Sequence, residues 1–146
     1  MRQYLFETYM LSVTQDRKYY PGCFDIYSMI VKGGKKVATG QNHAERSSDL
    51  VEKNKTHDHC MIHAECDAIL QARKIGVNLS NATMYVARKA RHNQLPAMCR
   101  PCIMCQKVLR DACIRKIFYT IDENHYGKMT LHKNGNVGDK IYSINE

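Results

Sequence analysis

At 146 residues, with 44% hydrophobic and 25% charged side chains, the chain is long enough to bury a core and ordinary in composition for a globular protein. No apolar run approaches the length that spans a bilayer, and the N-terminus lacks the apolar stretch and cleavage site of a signal peptide, so the expectation is a cytoplasmic protein with no membrane partner. The net charge is +8, and eight Lys or Arg (88, 89, 91, 100, 107, 110, 115 and 116) fall between Tyr85 and Phe118 against the single acid Asp111, which reads either as a solvated basic face or as a surface for phosphate.

In chain order, Leu5, Tyr9 and Val13 stand at helical spacing and predict an opening helix with that side on the core. YYPGC breaks it, and FDIYSMIVKGGKKVATG predicts two strands around a Gly33-Gly34 hairpin turn. QNHAERSSDLVEKNKTHDHC is polar and aperiodic and reads as a long loop. HAECDAILQARKIG places Ala64, Ala68, Ile69, Ala72 and Ile75 along one side and stops at Gly76, the pattern of a helix with a glycine end. ATMYVAR predicts a strand, and KARHNQLPAMCR a basic loop. In PCIMCQKVLRDAC, Pro101 suits a helix start, and Cys105, Val108, Leu109 and Ala112 form a buried stripe. IRKIFYTI is a further strand, with Phe118 and Tyr119 in the core. The glycine-bearing tail after Asp122 predicts a loop and a last strand near KIYSI. Alternating strands and helices, without repeats or a linker, imply one domain over residues 1–146: an α/β fold, a mixed sheet with helices on its faces.

Seven cysteines (23, 60, 66, 99, 102, 105 and 113) are an odd, clustered set, which argues against a disulfide framework and for metal use in a reducing compartment. Cys102 and Cys105 form C-x-x-C at a helix start, where two thiolates reach one ion and the helix dipole favours their charge. The tripeptide HAE occurs twice, at His43–Glu45 and at His63–Glu65. One His and two Cys leave zinc a fourth position for water, whose pKa the ion lowers, while a non-ligand Glu moves protons. An apolar helical pattern follows His63, so His63 and Glu65 occupy the first turn of a packed helix. Arg-Ser-Ser-Asp follows the first copy, with nothing there to fix the ring, and the second copy is the functional one by this reasoning. A closed structural knuckle of Cys60, His63, Cys102 and Cys105 is the rival reading of the same atoms, with Glu65 then a surface residue. Cys99 reads as a free thiol at the edge of the site, and Cys23, Cys66 and Cys113 as small core residues. His57 and His59 read as solvated.

HAE at 63–65 with PCIMC at 101–105 resembles the H-x-E and P-C-x-x-C signature of the zinc-dependent cytidine and deoxycytidylate deaminases. IHAECDAIL, NATMYVAR and CIMCQKVLRDACIRKIFYT are similar to the same regions of deoxycytidylate deaminases, small phage forms included, and the resemblance runs over about residues 25 to 121. It implies a three-layer α/β/α sandwich with about five strands and both metal helices on one face. It also implies His63, Cys102 and Cys105 as ligands of Zn2+, Glu65 as the proton shuttle, and a homo-oligomer. Asn42, in GQN, resembles the residue that holds the sugar in such enzymes, although a turn residue is as good an account. The backbone at Ala64 and the carbonyl near Arg100 would read the pyrimidine edge. The implied reaction is hydrolytic deamination of a cyclic amidine.

Arg88, Lys89, Arg91 and Arg100 should overhang the mouth, where an Arg would hold a 5′-phosphate. That favours a pyrimidine nucleotide, dCMP to dUMP. The alternative is a base in tRNA or single-stranded DNA, against which stands the lack of any stacking aromatic between Arg88 and Arg100. Three departures from the resemblance are visible. The loop before Pro101 is long and basic, no obvious helix follows IRKIFYTI, and the sequence shows no second metal cluster of the kind some deoxycytidylate deaminases carry.

Overall fold

The computed structural model describes residues 1–14, 24–43 and 62–146. In chain order these form helix α1 (Gln3–Thr14), strands β1 (Asp25–Lys32) and β2 (Lys35–Gln41), helix α2 (Ala64–Lys74), strands β3 (Thr83–Lys89) and β4 (Pro96–Ala97), helix α3 (Ile103–Asp111), and strands β5 (Lys116–Thr120), β6 (His125–Leu131) and β7 (Val137–Ser143). The sheet has the order β2-β1-β3-β5-β6-β7, with the two-residue β4 paired beside β3. Among the described residues only β3 and β5 run parallel, joined by the crossover through α3; the other pairings are antiparallel. A mixed sheet was expected, but it has seven strands rather than about five. The extra ones are the short β4 and β6, the first arm of the terminal hairpin.

Alternation along the strands sorts the two faces. Ile30, Met84, Val86, Ile117, Tyr119, Met129 and Leu131 pack with α2 and α3. Met29, Val31, Tyr85, Ala87, Phe118 and Tyr126 pack with Leu5 of α1 on the opposite face. The result is the three-layer α/β/α sandwich, with the two motif-bearing helices together on one side. Central strand β1 is buried on both faces, which is why DIYSMIVK reads as an apolar run.

Several local expectations hold and several need correction. Gly33 and Gly34 both adopt left-handed backbone, at φ 58° and 75°, as a two-residue hairpin turn requires. In α1 the buried stripe is Leu5, Thr8 and Ser12, whereas Val13 is exposed. The two hydroxyls tolerate burial because each bonds its own helix: Thr8 Oγ1 donates to the Tyr4 carbonyl at 2.7 Å and Ser12 Oγ to the Tyr9 carbonyl at 2.6 Å. In α2, Ala64, Ala68, Ile69 and Ala72 are buried as expected, but Ile75 is exposed at the helix end. Both motif helices stop the same way. Val77 N–H returns to the Ala72 carbonyl and Ile114 N–H to the Leu109 carbonyl, around a left-handed residue that is Gly76 in one and Cys113 in the other. Cys113 is therefore exposed, not a core residue.

Pro101 lies just outside α3, whose first helical residue is Ile103. The tail is a full antiparallel hairpin, Leu131 opposite Val137 through His125 opposite Ser143, where a loop and one strand were expected. Among the described residues no helix is long and apolar enough to cross a membrane. Of the stretch expected as a long polar loop, Gln41 closes β2 and His43 bridges to Ile62, and the part after His43, with Glu45, His57, His59 and Cys60, lies outside the described residues, as does Cys23.

Candidate metal centre and active site

His63 is the N-cap of α2 and Cys102 the N-cap of α3, both in extended backbone. Cys105 follows one turn later and is buried. The two helix starts converge: His63 Nδ1 lies 3.3 Å from Cys105 Sγ and 3.6 Å from Cys102 Sγ. The three donor atoms lie within 4.8 Å of one another. Tetrahedral zinc with ordinary bond lengths needs N···S separations of roughly 3.6 Å, so one nitrogen and two sulfurs at these distances fit the ion.

The electrostatics suit a cation as well. The Cys105 thiol, hydrogen-bonded to Cys102, and the His63 imidazole beside it hold Cys102 down at about 3, a thiolate at neutral pH. Its partner Cys105 is pushed up, because it donates to Cys102 and Cys66 while fully buried. The pair thus shares one proton, which an ion would displace. His63 is raised, first through its bond with Cys102.

Glu65 sits in the first turn of α2 and is 5% exposed. Burial raises its pKa, while the His63 imidazole opposes that rise. A carboxyl in such surroundings exchanges protons nearer neutrality than a solvated one.

Burial and short contacts fix the start of α2. Ser28 Oγ, on β1, donates to the Ala64 carbonyl at 2.7 Å. Gly40, on β2, lies so close that an added Cβ would stand 2.5 Å from the Ala64 oxygen and 2.4 Å from the Ala68 nitrogen. Asp67 is buried and accepts from Gln41 N–H at 3.0 Å and Gln71 Nε2 at 3.1 Å, with His43 Nε2 at 3.3 Å. His43 also pairs through its backbone with Ile62, the residue before His63. The first HAE copy is thus anchored at its histidine, contrary to the expectation that nothing fixes that ring; it buttresses the second copy. Sequence reasoning missed Asp67, whose signal was an acid one helical turn after His63 on an otherwise apolar face.

The remaining predicted residues are placed as follows. Asn42 is buried, and its side chain binds β1: Nδ2 donates to the Phe24 carbonyl at 2.6 Å, and Oδ1 accepts from Ile26 N–H at 3.3 Å. Arg88 donates to the Met98 carbonyl at 3.2 Å, and its guanidinium stacks 3.6 Å from the ring centroid of Phe24. Arg91 pairs with Asp25 at 3.0 Å. Arg100 makes a two-pronged contact with Asp139 on β7, at 3.0 and 2.8 Å. Cys99 is buried between the Val86 carbonyl and Thr120, and burial pushes its thiol up to about 12, so it is no ready metal ligand. The half-exposed Phe24 brings an aromatic to the basic region from a distant part of the chain, where the local sequence has none.

A mixed sheet that places a His-Cys-Cys centre at two helix starts, beside a buried carboxylate, defines a zinc-binding domain of deaminase type. Residues 3–121 match the cytidine and deoxycytidylate deaminase zinc-binding region, and the chain belongs to that family. A stretch of 67 residues is 39% identical to ComE operon protein 2 of Bacillus subtilis (strain 168); it takes in 44% of this chain and 30% of the length of that relative. The fold is similar to that of dCMP deaminase from the cyanophage S-TIM5, solved in complex with dCMP and dUMP, at 19% identity and a TM-score of 0.53 over 80% of this chain and 76% of that one. It is also similar to cytidine deaminase from Burkholderia pseudomallei, at 16% identity and a TM-score of 0.55 over 98% and 93% of the two chains, a share that takes in the terminal hairpin.

Proposed function

We propose that the chain catalyses hydrolytic deamination of a cytosine nucleotide or nucleoside, with dCMP to dUMP as the leading reaction. The observation that carries this reading is the approach of His63 to Cys102 and Cys105 with Glu65 buried beside them. His63 Nδ1, Cys102 Sγ and Cys105 Sγ would hold zinc, which when bound makes a water acidic enough to deprotonate near neutral pH. Glu65 takes the proton of the attacking water and returns protons to the ring nitrogen and to the amine, which leaves as ammonia. The backbone at Ala64 lies next to both groups and suits the pyrimidine edge. Family membership supports the deamination, and the dCMP and dUMP bound by the phage neighbour support the nucleotide.

Arg88 and Arg91, and more remotely Arg100, are the candidates for the 5′-phosphate, with Asn42 for the sugar. The ion pairs of Arg91 with Asp25 and of Arg100 with Asp139 favour a second reading, in which the substrate is the nucleoside and the cations are structural. Two measurements test these readings. Glu65→Gln should retain zinc and release no ammonia; undiminished turnover would end the mechanism. Incubating the zinc form with CMP, dCMP, cytidine and deoxycytidine should give uracil products. A strict need for the phosphate, lost in Arg88→Ala and Arg91→Ala, selects the nucleotide.

A further inference from the structure

We propose that Asp139, near the end of the chain, is a positioning residue for the thiolate pair and acts through Arg100. The proposal rests on the reading of Cys102 and Cys105 as zinc ligands.

Arg100 lies two residues ahead of Cys102. Its guanidinium meets the Asp139 carboxylate with both prongs, Nε to Oδ1 at 3.0 Å and Nη2 to Oδ2 at 2.8 Å. A fork of this kind fixes an angle as well as a distance. Between the fork and the first thiolate stands Pro101, whose locked φ leaves little slack. The Pro101 carbonyl is itself held by Gln106 Nε2 at 3.0 Å from within α3. Displacement of Arg100 therefore passes to Cys102.

The carboxylate is well anchored. Tyr119 OH, on β5, donates to Asp139 Oδ1 at 2.7 Å. Tyr119 lies flat over Gly127, where an added Cβ would come within 2.3 Å of the ring, so the phenol sits in a slot that a glycine opens. The β6–β7 register, Met129 opposite Asp139, sets the height of the acid along the sheet. At the far end of α3, Arg110 Nη2 donates to the Gly135 and Asn136 carbonyls of the β6–β7 turn, at 2.8 and 3.1 Å. One terminal hairpin thus grips the helix of the thiolates at both ends.

The test uses the zinc-loaded full chain. Asp139→Asn and Arg100→Lys each remove the fork, the latter while keeping the charge. Lys133→Ala, exposed on the same hairpin, is the control. Zinc affinity is read by competition with a chelator, and kcat and KM on dCMP and deoxycytidine. Both fork variants should melt within a few degrees of the native chain yet bind zinc about 10- to 100-fold more weakly, as losses behind a ligand do. On any substrate turned over, kcat should fall with KM little changed, and Asp139→Glu should recover part of the loss. Unchanged zinc affinity in both fork variants overturns the proposal, as does an equal loss in Lys133→Ala. A rise in KM confined to dCMP in Arg100→Lys, with Asp139→Asn silent, also overturns it and makes Arg100 a phosphate contact. If the native chain binds zinc but deaminates none of the substrates, the reaction proposed above fails while the affinity data still decide the role of Asp139.

Discussion

The two helix starts that meet at the metal centre are secured by opposite means. The start of α2 is held from inside, by Gly40 pressed against its backbone, Ser28 on the Ala64 carbonyl, and the buried carboxylate of Asp67. The start of α3 is packed at Met104 and Cys105 and is held in addition from outside, by a fork between Arg100 and Asp139 whose side chains are 40% and 30% exposed. Packing in a dry interior is rigid and insensitive to the medium, whereas a wet ion pair is weak and follows salt and pH. The imidazole and the carboxyl of Glu65 therefore ride on the stiff half, and the thiolates on the adjustable half.

The contrast can be broken first on the α2 side. Gly40→Val forces side-chain carbon into the backbone of α2, which cannot yield as a side-chain tip does. The expected cost is about 3 kcal/mol or more, at the upper end for overpacked sites, seen as a large fall in melting temperature or loss of folded protein. A variant that melts like the native chain would show that the two elements are not tightly packed. Next in size is Asp67→Ala, which removes the acceptor of the Gln41 N–H and the Gln71 amide and leaves a buried void. A loss of about 2 to 3 kcal/mol is expected in denaturant unfolding.

The smallest effect sharpens the comparison rather than breaking it. Asp139→Asn should cost only about 0.2 to 1 kcal/mol of stability, less still in 1 M salt. The Arg100 guanidinium holds the Asp139 carboxyl below its ordinary value of 3.8. A folded value below the unfolded one means that the pair stabilises above that pH and loses its contribution as pH falls through the folded value. The gap between native chain and Asp139→Asn should accordingly close below about pH 4. No such closing is expected for Gly40→Val.

Much of the centre was legible because its parts are local. HAE and PCIMC each lie within one helical turn, and the apolar patterns after them announce packed helices. The order of strand and helix patterns along the chain gave the α/β class for the same reason, while the three layers followed from the resemblance. The terminal hairpin was less legible: Gly127 breaks the apolar pattern of β6, where the Tyr119 ring needs its space, and Asp139 and Lys140 lie in an exposed β7. The partners of the arginines were illegible for a different reason. Asp25 is 66 residues from Arg91, and Asp139 is 39 from Arg100, so a run of positive charge looked unopposed in the linear chain although the fold supplies acids to it. The same holds for Phe24 over Arg88.

The approach of His63 to Cys102 joins points 39 residues apart, across a whole strand-and-loop excursion. An ion gripping both would act as a cross-link, and by analogy with a disulfide closing a loop of that size it would remove unfolded-chain entropy worth about 4 kcal/mol. Chelation would then cost the chain its reaction centre and a tether as well, and metal supply would govern how long the folded molecule survives proteolysis.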